Sequence, residues 1–280
     1  MSYDFEALQR TVPELRGHLV KTPDGRTSLD FANAEAVRLL NKALLLSDYG
    51  LDFWDLPPGK LCPGVPGRLA YVHALAKLIA ERTTSGKKVV GLDVGTGASL
   101  IYPILGVSAY KWRFVASEVD QTALRAARAI VEFNPSLRGK VDVRQQARPA
   151  AIFEGIVRKN EHFAFTMCNP PFFTSAQEAE RAARAKWAKL GRGKQESSAL
   201  NFGGAAHELW TPGGEPAFLR RMISESAVIA PQVGWFTTLV SQRGYLKAAT
   251  AQLRKLRARE HRIIELQSGN KRRRVLAWRF

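Results

Sequence analysis

Asn169-Pro170-Pro171-Phe172 is the run of residues with the most chemistry in it. It follows an apolar stretch, Phe163 to Cys168, that reads as a strand. Two prolines fix an extended, stiff backbone at that strand's tip. The Asn169 side-chain oxygen and the Pro170 carbonyl can then point the same way, and two aimed acceptors bind both hydrogens of an exocyclic amine. Such an amine, for example adenine N6, is a poor nucleophile because its lone pair is delocalised into the ring. Acceptors that hold both N–H bonds favour a pyramidal nitrogen with its lone pair turned toward an electrophile, which is positioning combined with electrostatic preorganisation. Phe172 adds a flat apolar face on which a base can stack. A loop stiffened by prolines for structural reasons alone would use the same residues, and its place after a fourth parallel strand argues against that.

A second group precedes it. Asp93-Val94-Gly95-Thr96-Gly97 ends a short apolar run, Val89 to Val94, in an acid and a Gly-x-Gly turn. Glycines let a backbone pass close to a ligand and adopt dihedrals that other residues resist. The dinucleotide fingerprint needs a further glycine at position 100, where this chain has Leu. Losing that glycine and gaining Asp93 shifts the reading from a nicotinamide cofactor to S-adenosylmethionine, whose ammonium group an acid can accept from. An ordinary strand-to-helix turn remains the alternative. Glu118 ends the next strand candidate, 25 residues after Asp93. A carboxylate there can take both ribose hydroxyls. Asp120 reads instead as the cap of the helix that follows.

These residues need a sheet to hold them. Strand candidates are Val89–Val94, Trp112–Glu118, Lys140–Arg144, Phe163–Cys168, Gly234–Val240, Arg262–Leu266 and Arg274–Phe280, with helical patterns between several, such as Gln121–Phe133 and Pro216–Ile229. This alternation predicts an α/β fold, a mostly parallel sheet covered on both faces, ending in an antiparallel edge hairpin. Residues 1–85 read as a mostly helical N-terminal extension, with Asn33 capping one helix, a loop from Pro57 to Gly67 and a second helix from about Arg68 to Arg82. Residues 86–280 would form the main domain, with a polar, basic, partly helical and mobile insertion near 174–198.

Forty-two Lys and Arg against 25 Asp and Glu leave a net charge of +17, a field that attracts polyanions, nucleic acid first among them. Arg181, Arg184, Lys186, Lys189, Arg192 and Lys194 stand in a run without acids around Trp187, an aromatic able to stack on bases. A solvated face would have the same composition. Arg254, Lys255, Arg257, Arg259 and Lys271-Arg272-Arg273-Arg274 add basic surface near the C-terminus. Cys62 and Cys168 fit neither a disulfide framework nor a zinc site, so no metal is expected and a reducing cytosol is. No secretory signal and no membrane-spanning stretch is expected.

With these residues in hand, the chain resembles the bacterial 23S ribosomal RNA large-subunit adenine-N6 methyltransferases. It is similar, less closely, to the eukaryotic enzymes that methylate adenine in U6 small nuclear RNA. The stretches that carry this include Trp54-Asp55-Leu56-Pro57, Leu61-Cys62-Pro63-Gly64-Val65-Pro66-Gly67-Arg68, Gly95-Thr96-Gly97-Ala98, Cys168-Asn169-Pro170-Pro171-Phe172, Leu200-Asn201-Phe202-Gly203-Gly204, Glu208-Leu209-Trp210 and Gly213-Gly214-Glu215. Coverage runs from Tyr3 to Phe280. The resemblance implies a class I S-adenosylmethionine-dependent methyltransferase, Rossmann-like with a seven-stranded sheet and the helical extension. It implies S-adenosyl-L-methionine held by Arg68 (at the carboxylate), Asp93, Gly95, Thr96, Gly97 and Glu118, and catalysis by Asn169, Pro170 and Phe172. Phe173, Arg184, Lys186 and Lys189 are then candidate contacts to substrate RNA, either 23S ribosomal RNA or a pre-ribosomal particle. The expected enzyme is a cytoplasmic monomer.

Other acceptors stay open at this level. Another structured RNA such as a U6-type RNA, DNA, or a protein glutamine can use an Asn-Pro-Pro-aromatic motif. The net charge counts against a protein acceptor but not against DNA. A basic RNA-binding module without catalysis is opposed by the joint presence of Asp93, Gly95, Glu118 and Asn169.

Overall fold

The computed structural model describes residues 3–31, 33–81, 88–179, 181, 209–268 and 271–280. Its centre is a seven-stranded sheet of β3 (Val90–Val94), β4 (Arg113–Glu118), β5 (Val141–Gln145), β6 (Phe163–Cys168), β7 (Val233–Val240), β8 (Glu260–Ser268) and β9 (Lys271–Arg279), in the order β5-β4-β3-β6-β7-β9-β8. The first five run parallel, with β9 antiparallel to β7 and β8 antiparallel to β9. The sheet is therefore mostly parallel with an antiparallel edge hairpin, as the spacing of the apolar runs predicts. The chain works outward from β3 in one direction and then from β6 in the other. The crevice beyond the carboxyl ends of β3 and β6 is the switch point where such sheets bind ligands.

Side chains alternate across the strands, and both faces are buried. On β7, Trp235 and Leu239 join one apolar cluster while Phe236 and Val240 join the other. On β9, Val275 and Ala277 divide from Leu276 and Trp278 in the same way. One face is covered by α3 (Val65–Ala80), α4 (Ile101–Tyr110) and α5 (Gln121–Phe133). The other is covered by α6 (Gly214–Val228) and α7 (Arg243–Lys255), through Leu219, Met222, Ile223, Leu246, Ala249 and Leu253. Burial on both faces is why these strands read as unbroken apolar runs rather than alternating ones.

The N-terminal residues form α1 (Phe5–Thr11), a 3-10 turn over Pro13–His18, and α2 (Ala34–Tyr49) ahead of α3. Asn33 caps α2, its side chain accepting from the backbone of Glu35 and Ala36 at 2.9 and 3.2 Å. A small hairpin, β1 (Leu19–Lys21) and β2 (Thr27–Leu29), interrupts the helices. The Pro23-Asp24-Gly25 turn that closes it is a recognisable signal that the helical reading passed over. α3 also starts earlier than the proline- and glycine-rich sequence suggests. Pro66 sits in its first turn, where no backbone N–H is needed.

The extension is fastened to the sheet by polar contacts as well as by apolar packing. The buried Trp54 indole donates to the Ser99 carbonyl at 3.0 Å. Asn134, at the end of α5, accepts from the backbone of Asp52 and Phe53 at 2.7 and 3.1 Å. Cys62 and Cys168 are both free and buried. Among the described residues no helix is long and apolar enough to cross a membrane, and no cluster of His, Cys, Asp and Glu could hold a metal ion.

Candidate active site

The turn after β3 is hooked onto the end of β4. Backbone N–H groups of Gly95 and Thr96 both donate to the Ser117 carbonyl at 3.0 Å. Gly95 and Gly97 have φ of 69° and 66°, a left-handed region that a side chain resists. Gly97 then donates to Glu118 Oε2 at 2.8 Å, while Val119 and Asp120 donate to Oε1 at 2.8 and 2.9 Å. Three of the roughly four acceptor positions of this carboxylate are thus taken by backbone. Burial pushes the Glu118 carboxyl up, and these three N–H groups pull it back. The sequence reading gave Glu118 to a ligand alone. The structure makes it the clamp of the turn as well. Asp120 caps α5, accepting from Ala123 at 2.7 Å.

Asp93 is 1% exposed, and neither of its carboxylate oxygens has a hydrogen-bond partner. Burial pushes its carboxyl up to about 7, and the Glu118 charge adds to this, while Thr96 and Arg68 oppose it. A buried acid left without donors is costly unless something cationic or proton-donating fills the space beside it.

The Asn169 loop leaves β6 with its approach fixed from behind. Thr237 Oγ1 donates to the Thr166 carbonyl at 2.7 Å, so the Tyr71 hydroxyl, 2.6 Å from Thr237 Oγ1, is the donor there and accepts from Cys168 N at 3.5 Å. Tyr71 comes from α3, so the extension buttresses the residue just before Asn169. Beyond the prolines, Phe172 and Phe173 both donate to the Leu209 carbonyl, at 3.0 and 2.9 Å, and Thr211 donates back to Phe173 at 3.0 Å. Asn169 Oδ1 is buried and has no partner. Pro170 is buried, and Phe172 and Phe173 are half-buried.

A cavity of about 570 Å³ joins these parts. Asn169, Pro171, Gly95, Thr96, Gly97 and Glu118 line it, together with Gln146 and Ile152 beyond β5. The extension contributes Leu61, Pro63 and Arg68. Arg68 Nη1 donates to the Tyr102 hydroxyl at 3.0 Å, and its guanidinium carbon lies 5.7 Å from that ring's centre. Lys60, beside Leu61, pairs with Asp120 at 2.6 Å and ties this strap to the cavity rim. Trp210, Thr211, Phe218 and Arg221 form a further wall. Phe172 and Phe173 are not among the lining residues.

The structure thus brings Arg68, Gly95, Thr96, Gly97, Glu118 and Asn169 to one crevice, while Asp93 lies buried at the end of β3 beside the lining residues Val94 and Gly95. Arg184, Lys186 and Lys189 lie outside the described residues, as does most of the basic insertion. Sequence reasoning passed over Lys60, Tyr71, Tyr102, Trp210 and Arg221 as site residues. Trp210 stood in a quoted motif, but nothing in its spacing gave it a task.

The strand order, the glycine turn clamped by Glu118 and the Asn-Pro-Pro-Phe tip define a class I methyltransferase fold of the S-adenosylmethionine-dependent type. A model of RNA methyltransferases matches residues 1–280, and the chain belongs to that family. It is 45% identical over 293 residues to the ribosomal RNA large subunit methyltransferase F of Psychrobacter sp. (strain PRwf-1), covering 99% of this chain and 90% of that one. The protein of the same name from Salmonella paratyphi B is 47% identical over 279 residues, with 99% and 90% covered. Among solved structures, the human METTL16 catalytic domain in complex with MAT2A 3'UTR hairpin 1 superposes with a TM-score of 0.83 at 32% identity, covering 99% of this chain and 91% of that one. The N-terminal domain of human METTL16 in complex with SAH gives 0.78 at 28% identity, covering 99% and 94%.

Proposed function

We propose that this enzyme methylates the N6 amine of one adenine in 23S ribosomal RNA, using S-adenosyl-L-methionine, in the cytosol. The observation that carries the reading is Asn169 Oδ1, buried and without a partner at the wall of the cavity. An unpaired buried acceptor asks for a donor, and an exocyclic amine supplies one. The relatives named as large-subunit ribosomal RNA methyltransferases support ribosomal RNA as the source of that amine.

The cofactor fits the other half of the crevice. Asp93 offers two unpartnered oxygens suited to an ammonium group, and Arg68 a guanidinium suited to a carboxylate. The remaining acceptor position of Glu118 suits a ribose hydroxyl. Gly95, Thr96 and Gly97 let the backbone pass close beside it. When bound, the cofactor supplies an electrophilic methyl group.

The chain's own work is orientation. Asn169 Oδ1 and the Pro170 carbonyl hold the two amine hydrogens, so the nitrogen lone pair is released from the ring as it pyramidalises. Phe172 and Phe173, half-buried and bonded through their backbone to the Leu209 segment next to Trp210, offer aromatic surface to the RNA that flanks the base. The methylated nitrogen is acidic and sheds its proton to water, so no dedicated base is required. The strap from Lys60 to Arg68 limits water at the cofactor end.

Mass-spectrometric mapping of N6-methyladenosine in ribosomal RNA from cells with and without the gene tests this. One methylated adenosine should vanish from 23S RNA with the gene and return with the wild-type protein, not with Asn169→Ala. An unchanged 23S map would overturn the assignment, and a lost mark in another RNA would move the substrate there.

A further inference from the structure

We infer that Trp210 reads the target base, its indole N–H donating to a ring nitrogen of the adenine whose amine Asn169 holds. This rests on the amine-methylation reading above and assigns the donor half of base recognition.

Trp210 lines the cavity with Asn169 and Pro171. Backbone bonds place it there: it bridges Phe173 in parallel fashion, and its neighbours Leu209 and Thr211 exchange hydrogen bonds with Phe172 and Phe173. Backbone hydrogen bonds therefore hold the Trp210 segment against the Asn-Pro-Pro-Phe loop. Trp210 Nε1 is buried and has no acceptor. Indole is a donor only, so an acceptor must be brought to it. Arg221 braces the same wall. Its Nη2 donates to Thr211 Oγ1 at 3.1 Å, and its Nε is a second buried donor without a partner.

The wall around the base thus holds one unpaired acceptor and unpaired donors. Adenine has the complementary edge, an amine beside unprotonated ring nitrogens. Guanine and hypoxanthine put an oxygen where the amine stands, opposed to the Asn169 oxygen, and their ring N–H at N1 would also oppose Trp210 where N1 is the nitrogen it reads. A site with committed buried polar groups rejects a ligand that cannot pair them.

The test uses RNA resynthesised around the mapped position, with the target adenosine replaced in turn by 1-deaza-, 3-deaza- and 7-deazaadenosine. Single-turnover methylation is measured for the wild type and Trp210→Phe, both loaded with S-adenosylmethionine. Each analogue alters the amine's intrinsic reactivity, so the cross between substrate and variant is what is read. The wild type should lose roughly five- to a hundredfold on one analogue, the scale of a buried donor left unpaired. Trp210→Phe should lose a similar factor on adenosine and little more on that analogue. Should Trp210→Phe not fold, benzothienylalanine at position 210 keeps the indole shape with sulfur in place of N–H. Equal losses for wild type and variant on all three analogues would overturn the inference and leave Trp210 as packing. Failure of the methylation reading shows separately, as no mark in 23S RNA to resynthesise.

Discussion

The backbone N–H of Gly97 donates to Glu118 Oε2 at 2.8 Å, so the exit turn of β3 and the tip of β4 share one carboxylate. The other oxygen of that carboxylate holds Val119 and Asp120. Any ligand laid across the turn meets a surface that has already lost its freedom, which lowers the entropy it costs to bind.

Glu118→Ala should therefore strand three backbone donors as well as remove a ribose acceptor. A hydrogen bond to a charged group is worth about 1.5–3 kcal/mol. Affinity for S-adenosylhomocysteine should fall roughly ten- to a hundredfold by calorimetry, with a lower melting temperature. Glu118→Gln should not rescue it, because an amide NH2 would face one of the backbone donors. A folded Glu118→Ala variant with wild-type affinity would remove Glu118 from the cofactor site.

Asp93 links binding to pH. Its folded-state value near 7 lies above the ordinary 3.8 because burial disfavours the charge. In the cofactor-free protein its contribution to stability is full below about pH 4 and is lost as pH rises through about 7. Asp93→Asn should flatten that loss. If a ligand ammonium pairs with the ionised form, affinity for S-adenosylhomocysteine should rise roughly five- to tenfold between pH 6 and 7.5, with proton release visible in buffers of different ionisation enthalpy. Asp93→Asn should bind more weakly and without this slope. An identical slope in the variant would sink the assignment.

Lys60 and Asp120 close the strap. The Lys60 side chain is 5% exposed and that of Asp120 20%. Asp120 keeps its cap contact with Ala123 when Lys60 is lost, so Lys60→Met should destabilise the protein by about 1–3 kcal/mol, below the roughly 3–5 kcal/mol of a fully buried pair broken on one side. Denaturant titration measures this. Cofactor affinity should drop with it, since Leu61, Pro63 and Arg68 follow the strap.

The parts legible from sequence were those with local causes. The positions of the strands along the chain, the Asn33 and Asp120 caps and the glycine turn each follow from a few adjacent residues. The Asn-Pro-Pro-Phe tip did too, because prolines act on their own backbone. The Tyr71–Thr237–Thr166 chain was not legible, since its members are up to 166 residues apart and each alone is an ordinary core residue. Lys60 drew no reading from its own neighbours, because its partner Asp120 stands 60 residues away in the chain. Glu118 was found for its charge, yet its hold on Gly97 depends on two strands lying in register, which composition does not reveal. Trp210 gains meaning only from the bridge to Phe173.

The most direct measurement is single-turnover methylation of 23S ribosomal RNA by Asn169→Ala, beside cofactor affinity for the same variant. If Asn169 Oδ1 holds the amine for attack, its contribution grows toward the transition state, and the loss falls on kcat rather than on cofactor binding. The rate should drop roughly 10²–10³-fold, by analogy with a single preorganised transition-state contact, while S-adenosylhomocysteine binds as before. Asn169→Asp, which keeps an acceptor of the same shape, should lose less. A folded Asn169→Ala enzyme that methylates 23S RNA at a near-normal single-turnover rate would contradict the account.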